Sequence, residues 1–133
     1  MNYLLDSNIC IHFFRGNFGM LDLLNSVGIE NCAISEITLA ELVFGAEKSS
    51  NPEKNHKIIN SFCEKIRILP IFDAISIYGK EKARLQKNGT VISDFDLLIA
   101  CTAIENNLIM VTENVKDFEK ISNIIIENWI KRN

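Results

Sequence analysis

Asn2-Tyr3-Leu4-Leu5-Asp6-Ser7-Asn8-Ile9-Cys10-Ile11-His12-Phe13-Phe14-Arg15 changes character at Asp6. Up to Leu5 it reads as a short strand; from Ser7 to about Arg15 it reads as a helix. A strand that hands straight over to a helix opens a βα unit, and the rest of the chain keeps alternating in that way. A second helix runs from about Gly19 to Val27, with Met20, Leu21, Leu23, Leu24 and Val27 apolar. Cys32 to Ile34 reads as a strand and Thr38 to about Lys48 as a helix. Pro52, a favoured first-turn residue, opens a helix with Ile58, Ile59, Phe62 and Ile66 down one side. The Ile66 to Ile71 region is a further strand, and Asp73 to Lys87 a long helix stopped by Asn88-Gly89. Ser93 caps a helix running to about Glu105, Leu108 to Val111 is a buried strand, Val115 to Lys120 a helical turn, and Ile124 to Ile126 a last strand. This alternation predicts an α/β fold: a three-layer α/β/α arrangement around a mostly parallel central sheet.

With 133 residues the chain is expected to form one domain, residues 1–133. A hydrophobic share of 47% with 23% charged residues excludes a disordered class. The apolar runs are too short to span a bilayer, and Asp6 comes too early for a secretory signal, so a cytoplasmic protein without a membrane partner is expected. Cys10, Cys32, Cys63 and Cys101 sit far apart in apolar stretches and form no C-x-x-C pair, as buried free thiols would. His12 and His56 do not combine with them at zinc-site spacings. His12 is expected at the helix surface or partly packed. The net charge of −3 argues against broad electrostatic capture of nucleic acid but leaves room for a local basic track.

In a parallel sheet the functional crevice lies beyond the carboxyl ends of the strands, so the acids there are the ones to weigh. Asp6 directly follows the first strand and could equally cap the helix that begins at Ser7. Glu41 lies on a largely apolar helix face, with Ile37 and Phe44 as neighbours. Thr38-Leu39-Ala40-Glu41 also fits a capping box, which would give Glu41 a purely local role. Asp96 opens a helix, Asp96-Leu97-Leu98-Ile99-Ala100-Cys101, apolar nearly all round and therefore buried; Ser93 to Asp96 is again a candidate capping box. Asp94 is expected to point elsewhere. Together, Asp6, Glu41 and Asp96 are expected just beyond strand ends, where a parallel sheet would gather them. Clustered carboxylates raise one another's pKa and call for a cation. Oxygen-only ligands suit Mg²⁺ or Mn²⁺, and such a site hydrolyses phosphodiesters.

Four segments carry a family resemblance. Leu4-Leu5-Asp6-Ser7-Asn8, the run Ile34 to Leu42 followed by Gly45-Ala46-Glu47-Lys48-Ser49, the run Ile92 to Ala100, and the run Val111 to Phe118 resemble the successive motifs of PIN-domain proteins. They are most similar to the VapC-type toxins of bacterial toxin–antitoxin pairs, and Glu127-Asn128-Trp129 resembles their usual ending. The resemblance implies a Mg²⁺- or Mn²⁺-dependent endoribonuclease, with Asp6 and Asp96 binding metal, Glu41 catalytic beside them, and Ser7, Asn8 and Thr112 in support. Ser7 stands where Thr is commoner. The fourth acidic position is open between Asn114, where many relatives have Asp, and Asp117; Asn114 offers only a neutral oxygen or an amide donor. The alternative is a PIN fold kept as a binding module with weak catalysis.

Two rivals fit less well. An aspartyl phosphatase wants a second acid where Asn8 stands, and a receiver domain wants a late Lys that Val111-Thr112-Glu113 lacks. Lys80, Arg84 and Lys87 share one face of their helix, a candidate phosphate track for RNA. Ile9, Ile11, Phe13, Phe14, Phe18, Leu21 and Leu24, with Phe44 and Phe62 in reserve, exceed what two short helices need for one core face. The resemblance assigns that surplus to a cognate antitoxin laid in an apolar groove, with DNA reached only through the antitoxin and a toxin homodimer at the centre of the assembly.

Overall fold

The computed structural model describes residues 2–132. Strands β1 (Tyr3–Leu5), β2 (Cys32–Ser35), β3 (Arg67–Leu69), β4 (Ile109–Val111) and β5 (Ile126–Glu127) form one sheet in the order β3-β2-β1-β4-β5. All the pairings are parallel, so the sheet is wholly rather than mostly parallel. From β1 the chain builds outward to β2 and β3, then returns to the other side of β1 for β4 and β5. The order therefore reverses between β1 and β4, which is where a ligand crevice opens in such sheets.

The helices are α1 (Ser7–Phe14), α2 (Met20–Val27), α3 (Glu36–Glu47), α4 (Pro52–Cys63), α5 (Ile75–Lys87), α6 (Asp94–Glu105) and α7 (Val115–Phe118), with 3₁₀ turns at Ile29–Asn31 and Phe72–Ala74. The sheet divides the core in two because successive side chains point to opposite faces. Leu4, Ala33 and Met110 pack with Leu97, Ile99 and Phe118. Leu5, Ile34 and Val111 pack with Ile9, Leu24, Leu42, Ile59 and Phe62 on the other side. Helix α6 is buried along most of its length, from Leu97 through Ala103, as its apolar composition requires.

Local signals set several boundaries. After α5, Gly89 takes a left-handed φ of 72°, Thr90 N–H donates to Leu85 C=O at 2.9 Å and Gly89 N–H to Gln86 C=O at 3.0 Å, a Schellman stop. Asn107 ends α6 in the same way, at φ 55°, and aims the chain into β4. Strand β3 is shorter than expected, β5 lies later, at Ile126–Glu127, and Asp73 falls in the 3₁₀ turn before α5. The boundary that bears on the site also differs. Helix α3 begins at Glu36, capped by the Ser35 hydroxyl, which accepts from Ile37 N–H at 3.0 Å. Thr38 thus lies inside the helix, fully buried, and cannot cap it. The Thr38–Glu41 capping box does not form, and Glu41 is released from that local role.

The four cysteines are free thiols: Cys10, Cys32 and Cys101 buried, Cys63 half-buried. Burial pushes the Cys10 thiol far up and the Cys101 thiol up to about 12, which leaves both inert.

Candidate active site at the β1–β4 crevice

Asp6 extends the β1 ladder by one hydrogen bond, its N–H to Val111 C=O at 2.9 Å, and then turns its carboxylate into the crevice. It is only 4% exposed. One oxygen, Oδ1, accepts from Ser7 N–H at 2.8 Å; the other, Oδ2, accepts from Thr112 Oγ1 at 2.8 Å and Asn8 Nδ2 at 3.3 Å. Asp6 therefore caps α1 and faces the crevice at once. Three donors leave free lone-pair capacity on a carboxylate that has about four acceptor positions. Among the described residues no cation pairs with it. Burial is the main cause that pushes the Asp6 pKa from 3.8 up to about 6; the charges of Asp96 and Glu41 add to the rise, while Thr112 and Ser7 oppose it.

Glu41, in the second turn of α3, reaches this centre through Ser7, whose Oγ donates to Glu41 Oε1 at 2.6 Å. The substitution of Ser for the commoner Thr thus keeps the hydroxyl in use. Asn8 ties the opposite wall: its Oδ1 accepts from Glu113 N–H at 3.3 Å. Thr112 Oγ1 in turn accepts from Asn114 N–H at 3.0 Å. Ser7, Asn8 and Thr112 hold the two acids from three directions.

Asp96 reaches the same edge by a different route from the one expected. It does not follow a strand; it stands in the first turn of α6, which runs back under the sheet to feed β4. The amino end of a helix that precedes a parallel strand lies at the carboxyl edge of the sheet, and so Asp96 arrives there. Ser93 caps the helix by accepting from Asp96 N–H at 3.2 Å. Burial, chiefly, and the nearby Asp117 raise the Asp96 pKa, with Ser93 opposing. Asp94, on the neighbouring position, turns outward to Lys82 and Tyr78, each at 2.7 Å.

Of the two residues weighed for the fourth position, Asp117 shares a cleft with Asp96, of about 430 Å³ and lined also by Ser93. Asn114, exposed and just before α7, makes no side-chain capping bond and is not among the residues lining that cleft. Lys116 and Lys120 line the same cleft and were missed by the sequence reading. The signal that could have found them is their i, i+4 spacing around Asp117. The track predicted on α5 loses its central member: Arg84 forks onto Glu81 at 2.8 and 3.0 Å and donates to Lys120 C=O at 2.7 Å. Lys80 and Lys87 remain exposed and outside the cleft.

Among the described residues, no three acidic, histidine or cysteine side chains are already drawn into a ligating group. The donor set nevertheless suits a hard cation. Asp6, Glu41 and Asp96 raise the local negative potential and enter no ion pair among the described residues, and oxygen donors of this kind prefer divalent ions that keep part of their water. His12 is partly buried; it meets Glu113 Oε1 at 3.1 Å and lies edge-on to Phe18. Arg132 also pairs with Glu113, so these residues brace the loop after β4.

The PIN domain family matches residues 3–124. Ribonuclease VapC2 of Rickettsia felis is 36% identical over 98% of this chain and all of its own length. A tRNA(fMet)-specific endonuclease VapC of Salmonella typhimurium is 33% identical over 97% of this chain and 98% of its own. The crystal structure of VapBC2 from Rickettsia felis, bound to a DNA fragment from its promoter, superposes with a TM-score of 0.90 at 36% identity, covering 97% of this chain and 99% of that one. PIN-domain ribonucleases depend in general on a divalent metal. The crevice acids, the reversal of strand order between β1 and β4 and these full-length likenesses agree: the chain belongs to the PIN-domain family, in its VapC ribonuclease branch.

Proposed function

We propose that this chain is the toxin of a toxin–antitoxin pair, acting as a single domain in the cytoplasm, and that it is an endoribonuclease using Mg²⁺ or Mn²⁺. The observation that carries the reading is Asp6: a buried carboxylate, held by three donors and pushed up in pKa beside two further acids, with no ion-pair partner among the described residues.

Asp6 and Asp96 would hold the metal, with Glu41 beside them and Asp117 toward the outer cleft. A bound divalent ion supplies a nucleophilic water at neutral pH and charge stabilisation on the phosphodiester. The protein's own part is positioning. Ser7 fixes the Glu41 carboxylate, Thr112 and Asn8 fix Asp6, and Ser93 fixes the turn that presents Asp96. Burial of Asp6 keeps its oxygens short of water and so keeps them available to a cation.

The partner reading rests on a second cleft, about 400 Å³, between α1, α3 and α4. Ile11, Phe14, Leu42 and Ile58 line it, Arg15 and Lys48 flank it, and Glu41 belongs to its wall. An antitoxin helix or extended tail laid there would have its end beside the catalytic acids, where an Arg can pair with a carboxylate. DNA contact would then come through the antitoxin. The apolar surface of these helices divides between core and solvent. Ile9, Leu24 and Phe62 are core, and Phe13 and Phe14 pack on Phe62 at 5.6 and 5.1 Å between ring centroids. Ile11, Phe18, Leu21 and Phe44 are the exposed ones. Phe72, Ile75 and Phe95 are also exposed, on elements that pack on one another, and would suit a toxin homodimer.

The test is cleavage of RNA by the purified chain with Mn²⁺, compared with Asp96→Asn, and sequencing of RNA ends after brief expression. Cleavage lost in the variant and in chelator supports the reading. Binding without any cleavage favours the alternative, a binding module.

A further inference from the structure

Lys116 and Lys120 are exposed, line the cleft that holds Asp96 and Asp117, and enter no ion pair among the described residues. Both side chains are thus left available, on a cleft wall that also carries two carboxylates, to an anion from outside the chain. The segment bearing Lys120 is also held in place. Arg84 Nη2 donates to Lys120 C=O at 2.7 Å, and Glu81 Oε2 accepts from Ser122 N–H at 3.0 Å. Glu81 is 8% exposed, so the staple from α5 is anchored in the core.

We propose that Lys116 and Lys120 form the phosphate-binding rim of the active site, seating the RNA backbone next to the scissile phosphodiester. The Glu81–Arg84 pair is a positioning device that sets Lys120 at the rim. This rests on the ribonuclease reading above. A polyanion approaching Asp96 and Asp117 meets repulsion, and the two lysines are the cations on the cleft wall that offset it. The α5 lysines, Lys80 and Lys87, lie outside that wall and lack this geometry. Each phosphate contact made by a lysine contributes to affinity through counterion release, without regard to base sequence.

The experiment uses the full chain carrying Asp96→Asn, so that RNA stays intact, and labelled bulk transfer RNA as the probe across a salt series. Lys116→Gln with Lys120→Gln should weaken binding about tenfold at low salt and flatten the salt dependence by about one unit of slope per lysine. Lys80→Gln with Lys87→Gln makes the same change in net charge and should do less on both measures. Arg84→Gln should weaken binding while leaving most of the salt slope, because both ammonium groups remain; circular dichroism verifies that each variant is folded. If the α5 pair matches or exceeds the cleft pair in either measure, the rim assignment is wrong. If the chain with Asp96 intact cleaves RNA while the cleft pair binds as tightly as the parent, only the rim assignment falls. If the intact chain neither cleaves nor binds RNA, both readings fall.

Discussion

Asp6 and Glu81 are both buried carboxylates, and the fold treats them in opposite ways. Glu81 has a guanidinium forked onto it and a backbone N–H from Ser122, and its pKa is lowered, first by the Arg84 hydrogen bonds. Among the described residues Asp6 has only neutral donors, and its burial pushes its pKa up to about 6. A buried acid with its own cation is a structural tie. A buried acid without one costs stability, and that cost persists where a ligand from outside the chain makes use of it. The contrast separates the two sites without reference to any relative.

The strongest way to break the comparison is to neutralise each acid in turn. Asp6→Asn and Asp96→Asn should each lower RNA cleavage on the order of 100-fold or more, a typical loss when a main electrostatic element of a site is removed. In the metal-free protein Asp6→Asn should also raise stability, and the pH dependence gives the sign. Below about pH 4 both folded and unfolded states hold the proton and the change is neutral. Between about 4 and 6 the unfolded chain ionises while folded Asp6 does not, so native stability falls as pH rises. Above about 6 the full penalty is present, roughly 3 kcal/mol for a shift from 3.8 to about 6, and the variant escapes it. Melting curves at pH 4 and pH 7 check this; a variant less stable at pH 7 would reverse the assignment of Asp6.

Glu81→Gln should do the opposite, destabilising by about 1–3 kcal/mol through loss of charged hydrogen bonds. Its parent's advantage is present above the ordinary carboxylate pKa and is lost as pH falls through the lowered one. Denaturant unfolding at pH 7 and at acid pH would show the difference between the proteins shrinking.

Ser7→Ala tests the link between the acids. Loss of the 2.6 Å bond to Glu41 should reduce cleavage about tenfold, the lower range for a group that orients a functional side chain, whereas Ser7→Thr should retain it. Equal activity in all three would mean that Glu41 needs no orientation.

The smallest effect on the enzyme is expected at Gly45, in the wall of the apolar cleft, where an added Cβ would meet open space. Gly45→Leu should leave RNA cleavage and melting close to the parent's while loosening a co-expressed antitoxin, measured by co-purification. Phe13 and Phe14 are poor sites for this test because both are packed on Phe62. An antitoxin bound as tightly as before would place it elsewhere on the surface.

The parts of this protein that were legible in its amino-acid order are those with local causes. Strand and helix alternate at readable periods, Ser93 and Asn88-Gly89 are caps and stops acting over a few residues, and Asp6 and Asp96 stand where an element begins. Asn8 and Thr112 belonged to recognisable motifs, although their contacts with Asp6 were not predictable. Where local rules offered two answers, order alone could not choose. Thr38 and Glu41 satisfied a capping box on paper, and only the true start of α3 at Glu36 removed it. Lys80, Arg84 and Lys87 satisfied a helical spacing, and only the packing of α5 against the chain around Lys120 and Ser122 showed Arg84 to be occupied.

The sequence by itself determined the βα alternation, the three-layer class and the acids at the amino ends of helices, because periodicity and capping act within a turn or two of the backbone. The tertiary structure alone decided that Thr112 holds Asp6 across 106 residues and that Ser7 holds Glu41 across 34. It also decided that Asp117 rather than Asn114 lines the cleft with Asp96, and that two lysines stand there with no ion pair among the described residues. Those outcomes depend on which strand edges and helix ends meet in space. Charge balance and desolvation at a site are sums over such neighbours, and spacing along the chain does not contain them.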